Sequence, residues 1–312
     1  MKYYLGIDGG GTKTKVCLLS EDGSVTSYGT SGPSSIDTVD INTSLKHIKE
    51  ALNEASINIK NGYTIKGIFA GLGGMVTRDD FKLGEEALKT LEHLSNDCFI
   101  QCRNDMENAL LSGETNNLGI ALIVGTGMVA YGRNLKGDTH KAGGWGYKEG
   151  EMGSAYDLGF QAISKAVRSL DQRIKPSAFT QEMVETLNIK SPLEIVKVID
   201  DLWGERTKIA SFAKIVTKHA NLNDLYAIEI CDNATKELAL AVYTVGRLLH
   251  LEDSSVVIIG SLGNAPGYFK EKLHQSISSY LPNIKILENS IDPALAAAKY
   301  SRYLTINKNH NE

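Results

Sequence analysis

The sequence predicts an α/β protein made of two related halves. The first half begins with an apolar run that ends at Asp8, the turn Gly9-Gly10-Gly11-Thr12, and an alternating segment to Leu19. The same order returns between Leu118 and Tyr131, around the turn Gly125-Thr126-Gly127. Period-two alternation on both sides of each turn predicts strands. Because strands alternate with helical patterns after each turn, we predict an α/β fold that arose by duplication.

The first glycine turn predicts a phosphate-binding loop. Three consecutive glycines carry a large entropy cost, which is explained if the backbone must lie close to a ligand. A row of backbone N–H groups beside glycines suits phosphate oxygens. A Walker loop is excluded because Thr12 precedes Lys13, and a dinucleotide fingerprint needs a glycine where Thr14 stands. An ordinary glycine-rich hairpin is the alternative interpretation.

Composition limits the class of protein. The chain has 312 residues, of which 42% are hydrophobic, enough for two domains with cores of their own. A net charge of −4 argues against a nucleic-acid partner. No apolar run approaches the ~20 residues of a membrane span, and the N-terminus runs straight into a strand without a signal peptide. We therefore expect no membrane partner and a cytoplasmic location.

The four cysteines are expected to be free thiols. They are scattered along the chain, at Cys17, Cys98, Cys102 and Cys231. Cys98 and Cys102 lack a second pair at metal-like spacing, so buried thiols are favoured over a metal or iron–sulfur site.

Periodicity predicts the remaining elements and the domain division. The predicted strands are Val25–Tyr28, Ile65–Ala70, Cys98–Cys102, Leu118–Val124, Val129–Tyr131, Val256–Ile259 and Ile284–Leu287. The predicted helices are Ile41–Ala55, Phe81–Leu94, Met106–Leu111, Leu158–Leu170, Ala178–Leu187, Pro192–Leu202, Ile209–Ala220, Tyr226–His250, Pro266–Tyr280 and Ala294–Leu304. We predict domains at 1–115 and 116–312, with the last helix, about 292–304, packing back on the first.

Two acidic residues have the positions that phosphoryl transfer requires. This reaction needs phosphate cradles, a divalent metal and a base near the attacking hydroxyl. Asp8 is placed to hold Mg²⁺ through water. Asp105 follows a strand and starts a helix, so it is the candidate base. The alternative is that Asn104 or Asp105 is only a helix N-cap, with Glu107 completing a capping box with Asn104.

Two further small-residue stretches are candidate ligand loops. The stretch from Gly143 to Tyr156 has neither strand nor helix periodicity and carries Trp145 and two acids, Glu149 and Glu151. An aromatic residue beside a few polar groups is typical of a sugar pocket, whereas the alternative places Trp145 in the core. The loop that starts at Gly260 follows a predicted strand, a position typical of nucleotide contact in α/β folds.

Several motifs in order resemble one family over nearly the whole chain. They are LGIDGGGTKT, IVGTG, CRNDMENAL, GGWG followed by GEMGSAYDLG, IASFAKIV and VVIIGSLGNA. They resemble the N-acetylglucosamine kinase and BadF/BcrA-type branch of the acetate-kinase, sugar-kinase, Hsp70 and actin ATPases. The resemblance implies two ribonuclease-H-like domains of the actin-like ATPase fold with an interdomain cleft, and a homodimer. It also implies ATP and Mg²⁺ as cofactors and a cytoplasmic amino-sugar kinase.

The resemblance, added to the glycine patterns, gives a set of candidate site residues. The nucleotide set is Gly9, Gly10, Gly11, Thr12, Lys13, Gly125, Thr126, Gly127, Ser211, Gly260 and Ser261. The sugar set is Ser35, Asp105, Gly144, Trp145, Gly146 and Glu151, with Asp105 as the catalytic base and Asp8 as the metal residue.

Two departures from the family motifs fall on sugar recognition. Glu151-Met152 stands where the family has Asp-Glu, and Ser34-Ser35-Ile36 stands where it has Asn after small residues. We hypothesise that a changed pocket admits a bulkier amino sugar such as N-acetylmuramic acid.

Two other functions compete with the kinase. One is a BadF-type ATPase that activates a dehydratase or reductase and binds an iron–sulfur cluster. The isolated cysteines and the GGWG stretch with its acid-bearing loop argue against it. The other is a nucleotide-dependent binding module without sugar chemistry.

Overall fold

The computed structural model describes residues 1–24, 26–59, 62–114, 117–149, 151–287 and 290–308. The chain divides into two compact units. Unit 1 comprises Met1–Leu118 and Asn289–Glu312, and unit 2 comprises Gly119–Glu288. The predicted domain limits, 1–115 and 116–312, remain a prediction.

The described residues form ten strands and eleven α-helices. The strands are β1 Lys2–Gly9, β2 Thr14–Ser20, β3 Thr26–Ser31, β4 Thr64–Leu72, β5 Leu94–Arg103, β6 Gly119–Val124, β7 Met128–Arg133, β8 Thr139–Gly143, β9 Ser255–Ile259 and β10 Lys285–Leu287. The helices are α1 Ile41–Ser56, α2 Arg78–Leu88, α3 Asp105–Leu111, α4 Ala155–Leu170, α5 Ala178–Thr186, α6 Ile195–Leu202, α7 Arg206–Ser211, α8 Ala213–Ala220, α9 Leu225–Leu249, α10 Tyr268–Tyr280 and α11 Pro293–Lys308. Short 3₁₀ turns lie at Tyr147–Glu149 and Pro192–Glu194.

The two sheets have the same topology. The sheet of unit 1 has the order β3-β2-β1-β4-β5, and that of unit 2 has the order β8-β7-β6-β9-β10. In each sheet the first three strands along the chain pair antiparallel with one another, and the fourth strand pairs parallel with both the first and the fifth. The duplication and the α/β fold predicted from the repeated strand–turn–strand segments are therefore confirmed.

Local sequence explains where the helices of unit 1 begin. Asp40 caps α1, because its Oδ1 accepts the N–H groups of Asn42 and Thr43 at 2.9 and 3.1 Å. The same helix buries Ile48 and Leu52. Helix α2 begins with a capping box, in which Thr77 is the N-cap residue. These signals are readable in the sequence, so both helices were predictable.

The last helix packs on the sheet of unit 1. Phe69 on β4 is fully buried and meets Tyr300 of α11 edge to face, with ring centroids 5.1 Å apart. Ala294, Ala297 and Ala298 on the same helix are fully buried. Small side chains let α11 approach the sheet closely, because every bulkier residue would displace the strand backbone.

The core of unit 2 is built around the long helix α9. Its inward face buries Ile230, Leu238 and Val242 completely. The helix ends at His250, which has φ 54° and the left-handed conformation common at helix C-termini. The prediction of a helix over Tyr226–His250 is therefore confirmed apart from its last residue.

Two of the predicted helices are wrong in extent. The predicted helix Phe81–Leu94 ends at Leu88 in the structure, and Leu94 already belongs to β5. Leu91 is buried in the connection, so it continues the apolar period without being helical. The predicted helix Ile209–Ala220 is two helices, α7 and α8, divided at Phe212.

Strand β8 was not predicted. The predicted strand Val25–Tyr28 corresponds to β3, Thr26–Ser31, and Val25 lies outside the described residues.

Within the described ranges, no helix has the length and apolar character needed to cross a membrane.

Candidate functional site

The first glycine turn of unit 1 is a short exposed loop between β1 and β2. The Gly10 N–H donates to the Lys13 carbonyl at 3.0 Å, which closes the turn. The Gly10 carbonyl accepts the N–H groups of Ser34 and Ser35, both at 3.1 Å. Residues 11–13, which the sequence assigned to phosphate contact, are exposed. The loop is thus fixed at its base and open at its tip, as a phosphate cradle requires.

Asp8 is held in place by a buried asparagine. The Nδ2 group of Asn108 donates to Asp8 Oδ1 at 3.0 Å and to the Ile7 carbonyl at 2.9 Å. Burial raises the pKa of the Asp8 carboxyl, and the hydrogen bond from Asn108 opposes that shift. Asn108 was not among the predicted site residues, since an asparagine within a short helix gives no sequence signal.

Asn104, and not Asp105, caps helix α3. The Oδ1 atom of Asn104 accepts the Met106 N–H at 3.0 Å, and its Nδ2 donates to the Met75 carbonyl at 2.9 Å. Glu107, which the prediction placed in a capping box with Asn104, accepts a hydrogen bond at Oε2 from Asn117 Nδ2 at 3.2 Å. Of the two residues considered as the N-cap, Asn104 is the one that caps the helix. The Asp105 carboxylate is therefore available for another role.

Asp105 carries an unusual charge environment. Burial, followed by the negative charges of Asp8 and Asp37, raises the pKa of its carboxyl to about 6. A carboxylate with such a pKa is a stronger base than an ordinary aspartate and is still ionised near neutral pH. These are the properties of a general base.

Gly73 lies beside both Asp105 and Ser35, the serine that is predicted to bind the sugar. A Cβ atom on Gly73 would lie 2.6 Å from Ser35 Oγ and 3.4 Å from Asp105 Oδ2. The Gly73 N–H donates to the Gly9 carbonyl at 2.8 Å. Within unit 1, Ser35, which is buried, and Asp105 therefore lie next to Gly73, which is itself bonded to the first glycine turn.

The residues around Asp8 fit a hydrated Mg²⁺ ion. In the described part of the chain, no three His, Cys, Asp or Glu side chains come together as a metal site. Mg²⁺ needs fewer protein ligands, since it keeps several waters and binds one or two carboxylates plus substrate phosphates. Asp8 supplies such a carboxylate, and the adjacent Asn108 Oδ1 is buried without a hydrogen-bond partner among the described residues.

The second glycine turn, in unit 2, connects β6 to β7. The Gly125 N–H donates to the Gly127 carbonyl at 2.9 Å. The Gly125 and Thr126 carbonyls accept the N–H groups of Ala155 and Tyr156, at 2.9 and 3.2 Å. The loop is thereby tied to the start of α4, while Thr126 is exposed.

The structure brings the loop at Gly260 to the same edge of the sheet. Strand β9 is parallel to β6, so both end at the same edge. The Gly263 N–H donates to the carbonyl of Val124, the last residue of β6, at 3.2 Å. Ser261 is exposed at this edge, which is the nucleotide position in α/β sheets. Ser211 is also exposed, at the end of α7.

Trp145 lies on the surface of unit 2, so the alternative that placed it in the core is wrong. Its side chain is 68% exposed, and Lys141 Nζ lies 3.7 Å from the ring centroid. Gly144 and Gly146, on either side, have φ angles of 70° and 104°. An exposed aromatic ring among backbone polar groups can stack on the apolar face of a sugar.

Glu151 is buried beside the second glycine turn. Only 4% of the residue is exposed, and its Oε2 accepts a hydrogen bond from Arg206 Nη2 at 2.8 Å. Arg206 was missed in the sequence because nothing in a helical segment marks one arginine among others.

The four cysteines carry free thiols. Burial raises the pKa of each thiol to about 12. A thiol that stays protonated at neutral pH is a poor nucleophile.

The two sheets of identical order, each with a glycine turn between its first two strands, define an actin-like ATPase fold. The chain belongs to the BadF/BadG/BcrA/BcrD ATPase family, whose model matches residues 5–300.

Two curated relatives match nearly the full length. The chain is 29% identical to the N-acetylmuramic acid/N-acetylglucosamine kinase of Clostridium acetobutylicum, over 97% of this chain and 99% of that protein. It is 28% identical to the N-acetyl-D-glucosamine kinase of Dictyostelium discoideum, over 95% of this chain and 96% of that protein.

Among solved structures, a Chromobacterium violaceum protein assigned as an N-acetylglucosamine kinase has a TM-score of 0.71 at 21% identity, over 96% of this chain and 99% of that one. This likeness shows the fold.

Proposed function

We propose that the protein is an ATP-dependent kinase that phosphorylates a hydroxyl group of an amino sugar, N-acetylglucosamine or a related hexosamine. The observation that carries the proposal is Asp105, a carboxylate with a pKa of about 6 that lies, like Ser35, beside Gly73 and the first glycine turn. Both curated relatives are amino-sugar kinases, which supports the substrate class.

The proposed chemistry divides between Asp105 and the glycine turns. Asp105 accepts the proton of the attacking sugar hydroxyl, because its raised pKa matches a base that works near neutral pH. The backbone of residues 9–13 and 125–127, with Ser211, Gly260 and Ser261, holds ATP. Phosphoryl transfer needs little more than placement and neutralised charge, so rigid loops and one base suffice.

Mg²⁺ is the metal that we propose for this reaction. Asp8 would hold it, positioned by Asn108, whose Nδ2 lies 3.0 Å from Asp8 Oδ1. A bound divalent ion neutralises the charge of the transferred phosphoryl group.

The proposed sugar contacts are Ser35 and Asp105 of unit 1 and Gly144, Trp145, Gly146 and Glu151 of unit 2. A carboxylate accepts several hydrogen bonds, so the bond between Glu151 and Arg206 leaves room for a sugar hydroxyl. Ser34-Ser35-Ile36 stands in the segment where the family has asparagine after small residues, and we propose that this change helps the pocket to admit the lactyl ether of N-acetylmuramic acid. We also propose a role in cell-wall sugar recycling, a cytoplasmic location and a homodimer.

A coupled assay of ADP release tests the substrate class. The panel is N-acetylglucosamine, N-acetylmuramic acid, N-acetylmannosamine, glucosamine and glucose, with Mg²⁺ and ATP. We expect turnover with one or both of the first two sugars and little with glucose. ADP release that is the same with and without every sugar would contradict the kinase and favour an ATPase activator, for which iron and sulfide content would then be measured.

The pH dependence of turnover is expected to report the pKa of Asp105. A general base works in its ionised form, so kcat/KM should fall as the pH drops through about 6. An aspartate without this environment would lose activity only near pH 4. The charge of Asp37 contributes to the shift, so the Asp37→Asn variant should move the acid limb to lower pH. A limb at the same pH in that variant would contradict this assignment.

A further inference from the structure

The second glycine turn is covered by a pair of charged side chains, Glu151 and Arg206. A Cβ atom on Gly127 would lie 2.6 Å from both Arg206 Nη2 and Glu151 Oε2. Any side chain at position 127 would therefore displace the pair. All three residues belong to unit 2. Gly127 is assigned to the nucleotide and Glu151 to the sugar, whereas Arg206 has no assignment so far.

The two partners differ in how much water they meet. The Glu151 side chain is 5% exposed, whereas the Arg206 side chain is 38% exposed. The pair therefore keeps a positive group at the surface beside the turn.

Arg206 is fixed along one edge and open along the other. Its Nη2 donates to Glu151 at 2.8 Å, and its guanidinium lies 5.5 Å from the ring centroid of Tyr147. Its Nε is buried and has no hydrogen-bond partner among the described residues. A guanidinium has five N–H donors in a rigid plane, and the bond to Glu151 uses one of them.

The backbone of Glu151 supports this view. Its φ angle is 40°, in the left-handed region that a residue with a side chain rarely adopts. Strain of this kind persists only where the surrounding structure holds it, and it concentrates at functional sites. Here the strained backbone places the carboxylate under Gly127, where it orients Arg206.

We propose that Arg206 binds the phosphate chain of the nucleotide at the second glycine turn and that Glu151 is its positioning residue. The inference rests on the proposed function insofar as the turn is a nucleotide site. A planar guanidinium gives bidentate hydrogen bonds to phosphate oxygens, which a backbone turn alone does not supply. The guanidinium also offsets the negative charge of ATP, next to a glycine turn that has no charged side chain.

Direct binding measurements test the proposal without any sugar. ATP and adenosine are titrated separately against the wild-type protein and the Arg206→Gln variant by calorimetry, with Mg²⁺ present. Loss of charge-assisted hydrogen bonds should weaken ATP binding about 10- to 100-fold. Adenosine has no phosphates, so its affinity should not change. Equal affinities of wild type and variant for ATP would overturn the proposal, as would an equal loss for ATP and adenosine.

Three further variants separate the roles. Arg206→Lys keeps the charge but not the bidentate geometry, so it should lose ATP affinity by a smaller factor than Arg206→Gln. It also serves if Arg206→Gln does not fold. Glu151→Gln should raise the KM for ATP, because the glutamine no longer holds the guanidinium as an ion pair; an unchanged KM for ATP would overturn the positioning role. Arg173→Gln is the matched control, because Arg173 is an exposed arginine of unit 2 paired with Asp171, and its ATP affinity should equal that of wild type.

The outcome for Arg206 is independent of the outcome for the sugar panel. If no sugar is phosphorylated but the arginine variants lose ATP affinity selectively, the proposed kinase function fails and the phosphate role of Arg206 stands. If amino sugars are phosphorylated and the variants bind ATP normally, only the role of Arg206 fails.

Discussion

The Asp105→Asn variant is expected to lose kcat by a factor of about 10²–10⁴ while binding ATP almost as well as wild type. Asparagine has nearly the shape of aspartate but cannot accept the hydroxyl proton. The fold should be unaffected, because Asn104 and not Asp105 caps helix α3. Replacing a carboxyl whose pKa is raised by burial also removes an unfavourable charge, so the variant should be at least as stable as wild type.

Steady-state kinetics with a saturating amino sugar, together with ATP titration, measure both halves of this prediction. Asp79→Asn is a matched control, since Asp79 belongs to the same unit and its side chain is 95% exposed. That control should keep wild-type turnover. Comparable turnover in Asp105→Asn would show that another group takes the proton.

The Phe69→Ala variant is expected to destabilise unit 1 by about 3–5 kcal/mol. Phe69 is fully buried and packs edge to face against Tyr300 of α11. The substitution removes the transfer free energy of the ring and leaves a cavity between β4 and α11 that alanine-rich packing cannot fill. A stability loss of this kind lowers the melting temperature by about 2–4 °C per kcal/mol in domains of ordinary size.

Urea denaturation followed by circular dichroism checks this result, and a two-unit chain calls for several probes, since its unfolding need not be two-state. Ile57→Ala is the control, because Ile57 is a 75% exposed apolar residue of the same unit. It should change stability by less than about 0.5 kcal/mol. A loss in Phe69→Ala no larger than in this control would mean that α11 is not held against β4.

The fold was predictable because each of its signals is local. The glycine turns interrupt period-two segments, and caps such as Asp40 mark the starts of helices. The predicted helix Phe81–Leu94 failed for a physical reason. Leu91 is buried in an irregular connection, and an apolar residue at helical spacing there cannot be distinguished from one on a helix.

The candidate site was predictable where its chemistry lies in the backbone or next to a strand end. Asp8, Asp105 and the glycine turns all meet that condition. Asn108 and Arg206 do not, because each is placed by a contact with a residue distant in sequence: Asn108 with Asp8, and Arg206 with Glu151. Such pairings depend on tertiary packing, which a single sequence does not display.

The position of α11 determines when unit 1 can be completed during synthesis. The core between α11 and the sheet joins distant parts of the chain. Phe69 lies on β4, whereas Ala294 and Ala297 lie on α11. A ribosome releases the first strands long before it makes the helix that covers them, whereas unit 2 is contiguous and has all its parts earlier. Unit 1, which carries Asp8 on β1 and Asp105 on α3, is therefore the last part to reach its final form. A chain that ended before residue 293 would keep every residue of the first phosphate loop. It would lack α11, the helix that supports the sheet from which that loop extends.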